Sequence, residues 1–510
     1  MYGKKVRIIT ADEAAALVRS DDTIAVAGFV GTGHPEALTS ALEKRFLREK
    51  EPRGLSLFCA TGQGDGAGRG LDHLAHESLL KRVVSGHFVT MPAVTKLAVE
   101  GKIEAYNFPQ GVIAHLFRDI AAGKPGTLTQ VGLHTFVDPR QGGGKLNDVT
   151  TEHLVERVEL AGDEYLLYKS FPVHVAFLRG TTADEYGNIS MEKEAITLET
   201  FAAAQAARNS GGIVVVQVER LAAGGSLDPK QVVLPNVMVD AVVVAESEHH
   251  PQSFTERFNP SYTGQIREVR DRMGPLPLDE RKMIARRAIR ELASGDVVNL
   301  GIGIPEGIGY VASEEGRTDF TLLLDSGPIG GIPAKGFSFG ASTNPYAVLD
   351  MPSVFDFIDG GGIDVAFLGM AEADPQGNVN VSKYGGSITG CGGFINISHT
   401  AKKVVFCSTF TAGGLRVQAE DGKLRVVNEG RHRKFVDRIG HLTFNAAYAG
   451  SKGITILYVT ERAVFRIVLD GLELIEIAPG IDLETDVLAH MSFRPLISSE
   501  LRLMDEAIFR

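Results

Sequence analysis

At 510 residues the chain is too long for one hydrophobic core, and its net charge of −11 argues against a nucleic-acid or anionic-membrane surface. Its 44% hydrophobic and 23% charged residues are those of an ordinary soluble globular protein, and no run approaches the roughly 18 apolar residues of a membrane span. Three cysteines (Cys59, Cys391, Cys407) are too few for a disulfide framework and fit a reducing compartment, so a cytoplasmic protein is expected.

The first residues lack a signal-peptide apolar core and lead to a capping box, Thr10-Ala-Asp-Glu13, followed by a helix with Ala14, Leu17 and Val18 on one face. Thr23–Gly28 reads as a strand entering the glycine-rich turn Gly28-Phe-Val-Gly31-Thr-Gly33-His-Pro35-Glu, which opens a second helix. Leu55–Ala60 is another strand, ending in Thr61-Gly-Gln-Gly. Residues 80 to 145 show little pattern apart from a helix over 111–122. Ile213–Val218 and Ala241–Ala245 are β-branched runs of the kind found in parallel sheets.

Residues 246–277 read as a polar, proline-punctuated linker. Beyond it the order starts again: a helix over 279–294 with Gly295 past its end, a strand over 296–300, and the turn Gly301-Ile-Gly303-Ile304-Pro305-Glu-Gly307. Leu55-Ser-Leu-Phe-Cys-Ala60-Thr-Gly62 lies over Phe320-Thr-Leu-Leu-Leu-Asp325-Ser-Gly327, and Ala183-Asp-Glu-Tyr-Gly-Asn188 over Ala373-Asp-Pro-Gln-Gly-Asn378. Two open α/β domains in tandem are therefore expected, over residues 1–245 and 278–510, with the linker between them and the longer insertion in the first.

The repeat singles out Asp325. An acid where a strand stops can cap its own turn, or it can stand where open α/β sheets place their ligands. The first half has Ala60 at that position, so the turn itself does not require the acid. The glycine-rich turns miss the dinucleotide spacing, and no phosphate-loop Gly-Lys-Ser/Thr is present. What they offer is backbone N–H groups for an oxyanion or phosphate. Asp359-Gly-Gly-Gly362 and Gly390-Cys-Gly-Gly393 are further clusters, suited to close ligand approach or to close packing. His249-His250 and Arg431-His-Arg-Lys434 read as solvated surface, no Cys/His set has zinc spacing, and Ser326 lies outside a serine-hydrolase elbow.

Taken together, Gly28-Phe-Val-Gly-Thr-Gly-His-Pro-Glu, Asn107-Phe-Pro-Gln110-Gly, His134-Thr-Phe-Val-Asp-Pro-Arg140, Gly301-Ile-Gly-Ile-Pro-Glu, Asp325-Ser-Gly-Pro-Ile-Gly-Gly, Val381-Ser-Lys383-Tyr-Gly and Gly390-Cys-Gly-Gly393-Phe closely resemble family I coenzyme A transferases with fused α- and β-type halves. The resemblance covers nearly the whole chain. It implies a reversible ping-pong transfer of CoA between a short-chain acyl-CoA and a carboxylic acid, through an acyl-enzyme anhydride and an enzyme-CoA thioester, with the site between the halves. By motif position Asp325 is the nucleophile, and the Gly393 N–H, with the Phe29, Val30 and Gly31 turn, faces the oxyanion. Gln110 lines the site, and Gly301, Gly303, Ile304, Gly361, Gly362 and Lys383 contact CoA. CoA is then a co-substrate, no cofactor or metal is bound permanently, nucleic acid and membrane are not partners, and a homodimer or homotetramer is expected.

One position departs from the family pattern, which has Glu where this chain has Asp325. An aspartate one methylene shorter fits a substitution that weakens transfer, a natural site whose backbone compensates, or an acid that activates water and hydrolyses acyl-CoA.

Overall fold

The structure, a computed structural model, describes residues 5–269 and 276–510. The chain forms two compact units, neither continuous in sequence. One gathers Met1–Glu268, Leu324–Asp356 and Gly386–Gly393; the other gathers Val269–Leu323, Phe357–Gly385 and Phe394–Arg510. These divisions are drawn differently from the expected 1–245, 246–277 and 278–510. The 246–268 stretch is no free tether: Gln252, Ser253, Ser261 and Tyr262 are buried, with the Gln252 amide donating to the Lys193 carbonyl and accepting from the Asn259 N–H. Residues 270–275 of the expected linker lie outside the described residues.

The first unit is built on an eight-stranded sheet in the order Arg7–Ile8, Ala241–Val244, Ile213–Val218, Val175–Arg179, Thr23–Val26, Leu55–Cys59, Leu80–Ser85, Glu104–Asn107, with every pair parallel. A parallel sheet needs cover on both faces, which is why its central strands, such as Ile213–Val218 and Val175–Arg179, are largely apolar. On one face Ile24, Val26, Leu55 and Leu57 pack with Ala14, Leu38 and Leu42 from the helices Ala11–Ala16 and Glu36–Glu49. On the other, Phe58 meets Phe117 of helix Gln110–Ala121 at a ring distance of 4.2 Å. Burying a side chain of that size stabilises by roughly 2–3 kcal/mol. The Thr10–Glu13 capping box forms with both of its reciprocal hydrogen bonds.

In the second unit the order is Thr321–Leu322, Val297–Leu300, Val365–Leu368, Lys403–Cys407, Thr455–Val459, then Ala463–Val468, Gly471–Ile477 and Leu496–Leu503. The first five are mutually parallel and match, in order, the first unit's Leu55–Cys59, Thr23–Val26, Val175–Arg179, Ile213–Val218 and Ala241–Val244. The repeat is thus a shared five-strand core. It extends to hydrogen bonds: Asp184 accepts from the N–H groups of Tyr186 and Asn188 and from the Asn188 amide, and Asp374 accepts identically from Gln376 and Asn378. The second unit's first helix is shorter than the sequence suggests: Asp279 caps Glu280–Ala288, and one tighter turn follows over Ile289–Glu291.

Candidate active site

The strand expected over 320–324 keeps ladder pairing only at Thr321–Leu322, with Leu323 N–H still reaching the Val298 carbonyl. The chain then turns: Gly327 N–H donates to the Leu324 carbonyl, placing Asp325 and Ser326 at the corner. Gly327 is needed there, because at φ +129 its absent Cβ would sit 2.3 Å from the Leu349 carbonyl. Beyond the turn the chain folds back twice, pairing Pro328–Ile329 with Ala347–Val348 and Ile332–Pro333 with Ser342–Thr343. Asp325 is half-buried, and loss of water pushes its carboxyl up to about 6, opposed by its own N–H and that of Ser326. Such an acid is mostly ionised at neutral pH yet more basic than a free aspartate, which suits a nucleophile.

The glycine-rich turn of the same unit lies against this hairpin. Ser326 Oγ donates to the Gly340 carbonyl at 2.6 Å, and Gly340 sits on the Phe29 ring, where a Cβ would be 2.5 Å from Cδ1. Reciprocally, Gly31 receives Phe337, whose carbonyl oxygen would lie 2.4 Å from a Cβ at Gly31. The two loops interlock, each through a glycine. Of the three residues expected to offer N–H groups, Phe29 donates to the Thr32 carbonyl and Val30 to the Gly62 carbonyl, so both are spent internally. The Gly31 N–H donates to no other group among the described residues. Val30 has φ +54, a strained conformation for a β-branched residue. Gln63 holds the turn in that state, its amide donating to the Val26 carbonyl and accepting from His34 Nδ1. Burial keeps His34 neutral, at about 4, which is consistent with that tautomer.

Loops at the carboxyl ends of the neighbouring strands complete the site. Asn107 donates to the Ser85 and Gly86 carbonyls and accepts from the Cys391 N–H at 2.9 Å. Gln110 opens its helix with its N–H on the Gly392 carbonyl and its amide 3.7 Å from Met351 Sδ. Gly390 is pressed onto Gly86 and His87, so a side chain there would clash with backbone. The Gly393 N–H, like that of Gly31, makes no hydrogen bond among the described residues. Leu349 N–H donates to the Gly327 carbonyl, and two residues on Met351 meets Gln110. Asp325, Gly31, Gln110 and Gly393 therefore belong to one contiguous set of loops in one compact unit.

The remaining candidates belong to the second unit. Gly301, Gly303 and Ile304 follow the Val297–Leu300 strand at its carboxyl end; Gly303 has φ +88, open space for a Cβ, and an N–H held by the Glu306 carboxylate. Lys383 is exposed, its carbonyl accepting from the Asn380 amide. Gly361 and Gly362 are placed differently. Their N–H groups donate to the Ile358 and Phe357 carbonyls, the two bonds of a Schellman cap on helix Met351–Asp359. They precede the Val365–Leu368 strand, at the amino end of the parallel sheet, opposite Gly301–Ile304. The Phe357 ring fills the space beside Gly362, so packing and capping account for both glycines and CoA contact is not assigned to them.

Several participants carry no local signal. Phe254 N–H donates to the Gly31 carbonyl, and Ser338 joins Ser253, residues 85 positions apart. His250, expected on the surface, is buried with Nδ1 on the Gln217 amide, and Lys434 is held on Ser408 Oγ, burial lowering its amine to about 8.

Comparison with known proteins bears on this geometry. Residues 8–245 match the coenzyme A transferase family model. Over 510 aligned residues the chain is 46% identical to the acetate CoA-transferase YdiF of Escherichia coli O157:H7, covering 99% of this chain and 95% of that protein. Identity is also 46% to the caffeate CoA-transferase of Acetobacterium woodii, covering 99% and 97%. The crystal structure of the E. coli O157:H7 acyl-CoA transferase YdiF as a thioester complex with CoA superposes with a TM-score of 0.94 at 44% identity, covering 99% of this chain and 96% of that one. The chain is a member of the coenzyme A transferase family, with two homologous α/β domains fused in tandem.

Proposed function

We propose that this enzyme moves CoA reversibly between a short-chain acyl-CoA and a free carboxylic acid by a ping-pong route through Asp325. The observation that carries the proposal is a half-buried carboxyl at about 6 in one contiguous set of loops with the unspent N–H groups of Gly31 and Gly393. The Asp325 carboxylate attacks the thioester carbonyl, and the oxyanion is stabilised by those N–H groups, each contributing roughly 3 kcal/mol. The C–S bond breaks, leaving an Asp325 acyl anhydride and CoA thiolate. The thiolate then attacks the Asp325 carbonyl, releasing the first carboxylate and forming an Asp325-CoA thioester. The incoming acid reverses both steps, so thioester energy is retained. Gln110 stands beside Gly392 to orient the acyl group, and Gly301, Gly303, Ile304 and Lys383 are the proposed CoA contacts.

For the acyl group the proposal is acetate, propionate, butyrate or acetoacetate, supported by the acetate transferase relative. A cytoplasmic homodimer or homotetramer is proposed on the family resemblance alone. Incubation with acetyl-CoA and labelled propionate tests the transfer: labelled propionyl-CoA is expected, and free CoA without it contradicts the proposal. An acceptor screen that includes caffeate tests the acyl class, and preference for the aryl acid contradicts it.

A further inference from the structure

The 252–268 stretch packs over both interlocked loops. Phe254 N–H binds the Gly31 carbonyl at 2.9 Å, and Thr32 bridges to Ser253. On the hairpin side, Ser338 Oγ lies 2.6 Å from Ser253 Oγ and donates to the Glu256 carboxylate at 2.7 Å. That assignment leaves Ser253 to donate to Ser338, while Ser253 Oγ accepts the N–H groups of Thr255 and Glu256. Tyr262 donates its hydroxyl to the same Glu256 oxygen at 2.6 Å. Ser253, Ser338 and Tyr262 are each at most 5% exposed. A second fastening lies further along: Asn344 exchanges two side-chain hydrogen bonds with the Glu268 backbone, and its N–H donates to the Ser261 carbonyl.

One strap thus grips the hairpin that carries Asp325 and the turn that carries Gly31. Nothing in the hydrogen-bonding needs of a surface loop demands this. Ser253 and Ser338 are paired across two loops that meet at the site. We propose that Ser253, Ser338 and Glu256 are positioning residues, setting the separation between the Asp325 carboxylate and the Gly31 N–H. The proposal rests on the transferase reading above. Displacement of reacting groups by about 1 Å can lower turnover by on the order of 10²-fold without weakening ground-state binding.

The test measures kcat and KM for acetyl-CoA and propionate in wild type, Ser338→Ala, Ser253→Ala, their double variant, Glu256→Gln and Tyr262→Phe. Ser338→Ala is expected to lower kcat roughly tenfold or more, with KM within about threefold. The double variant should lose less than the sum of the two single ones, since both break the shared Ser253–Ser338 bond. Glu256→Gln, which keeps an oxygen acceptor for both hydroxyls, should hold kcat within about threefold. Should Ser338→Ala not fold, Tyr262→Phe removes one donor without opening a cavity and is expected to lower kcat at unchanged KM. Folded Ser338→Ala and Ser253→Ala enzymes with wild-type kcat overturn the positioning role, as does a loss that Glu256→Gln shares in full. A wild type that makes no labelled propionyl-CoA contradicts the transferase reading instead, and the two failures are distinct.

Discussion

Replacing Gly31 by alanine probes the interlock directly. The added Cβ would lie 2.4 Å from the Phe337 carbonyl oxygen and 2.7 Å from the Phe337 Cβ. Ordinary contact begins near about 3.5 Å, so the turn and the hairpin must part by roughly 1 Å. Gly31 is not among the residues at positive φ, so alanine meets no torsional penalty and the effect is steric alone. Overpacking of this kind costs about 1–3 kcal/mol of stability, and the shift carries the Gly31 N–H away from the proposed oxyanion position. The expectation is a loss of kcat on the order of 10²-fold, with acyl-CoA affinity nearly unchanged. Single-turnover release of CoA from acetyl-CoA, alongside direct binding of CoA, separates the two. Full-rate CoA release by a folded Gly31→Ala enzyme would mean instead that the close approach does not matter to the chemistry.

Other expectations follow from individual groups. The Asp325 carboxyl at about 6 places the acid limb of kcat/KM near that pH, activity falling below it as the nucleophile takes up a proton; a limb near 4 contradicts the assigned environment. Asp325→Glu advances the carboxylate by about 1.5 Å and is expected to raise kcat tenfold or more if the aspartate is the displaced counterpart of the family glutamate; a gain under about threefold marks a native aspartate site. Glu199 is fully buried, neither carboxyl oxygen has a well-formed hydrogen bond among the described residues, and burial, opposed by the N–H groups of Glu199 and Ala60, pushes it up to about 8 from 4.5. The folded state therefore keeps a proton that the unfolded chain gives up, so stability falls as pH rises from about 4.5 to about 8. Glu199→Gln should remove this slope, with a gain on the order of 4 kcal/mol at pH 8 before any cost of the buried amide. Equal slopes in urea unfolding of both proteins would count against it.

The tandem repeat was legible because parallel strands buried on both faces must be apolar along their whole length, as in Ile213–Val218. The same rule failed for Leu80–Ser85 and Glu104–Asn107, where Arg82 and Glu104 break the pattern. They stand opposite each other in register and pair at 2.5 Å, a cross-strand neutralisation invisible along the chain. Asp325 could be found because one half of the repeat supplied a control for the other. The glycines divided by cause. Gly31 and Gly390 lack a side chain because backbone or another residue fills the space, whereas Gly361 and Gly362 finish a helix. Composition alone treats these alike. The 246–268 strap read as a linker because its prolines and polar residues match loop statistics, and only tertiary contact shows Ser253 and Ser338 sharing a hydrogen bond.

The proposed transfer runs through covalent chemistry at Asp325. Brief exposure to acetyl-CoA, reduction with borohydride and peptide mass spectrometry report it most directly. Asp325 alone should be converted, its thioester reduced to the alcohol, and Asp325→Asn should give no modified peptide and no exchange. Labelled propionyl-CoA formed by an enzyme whose Asp325 peptide is never modified, or by the asparagine variant, would contradict it.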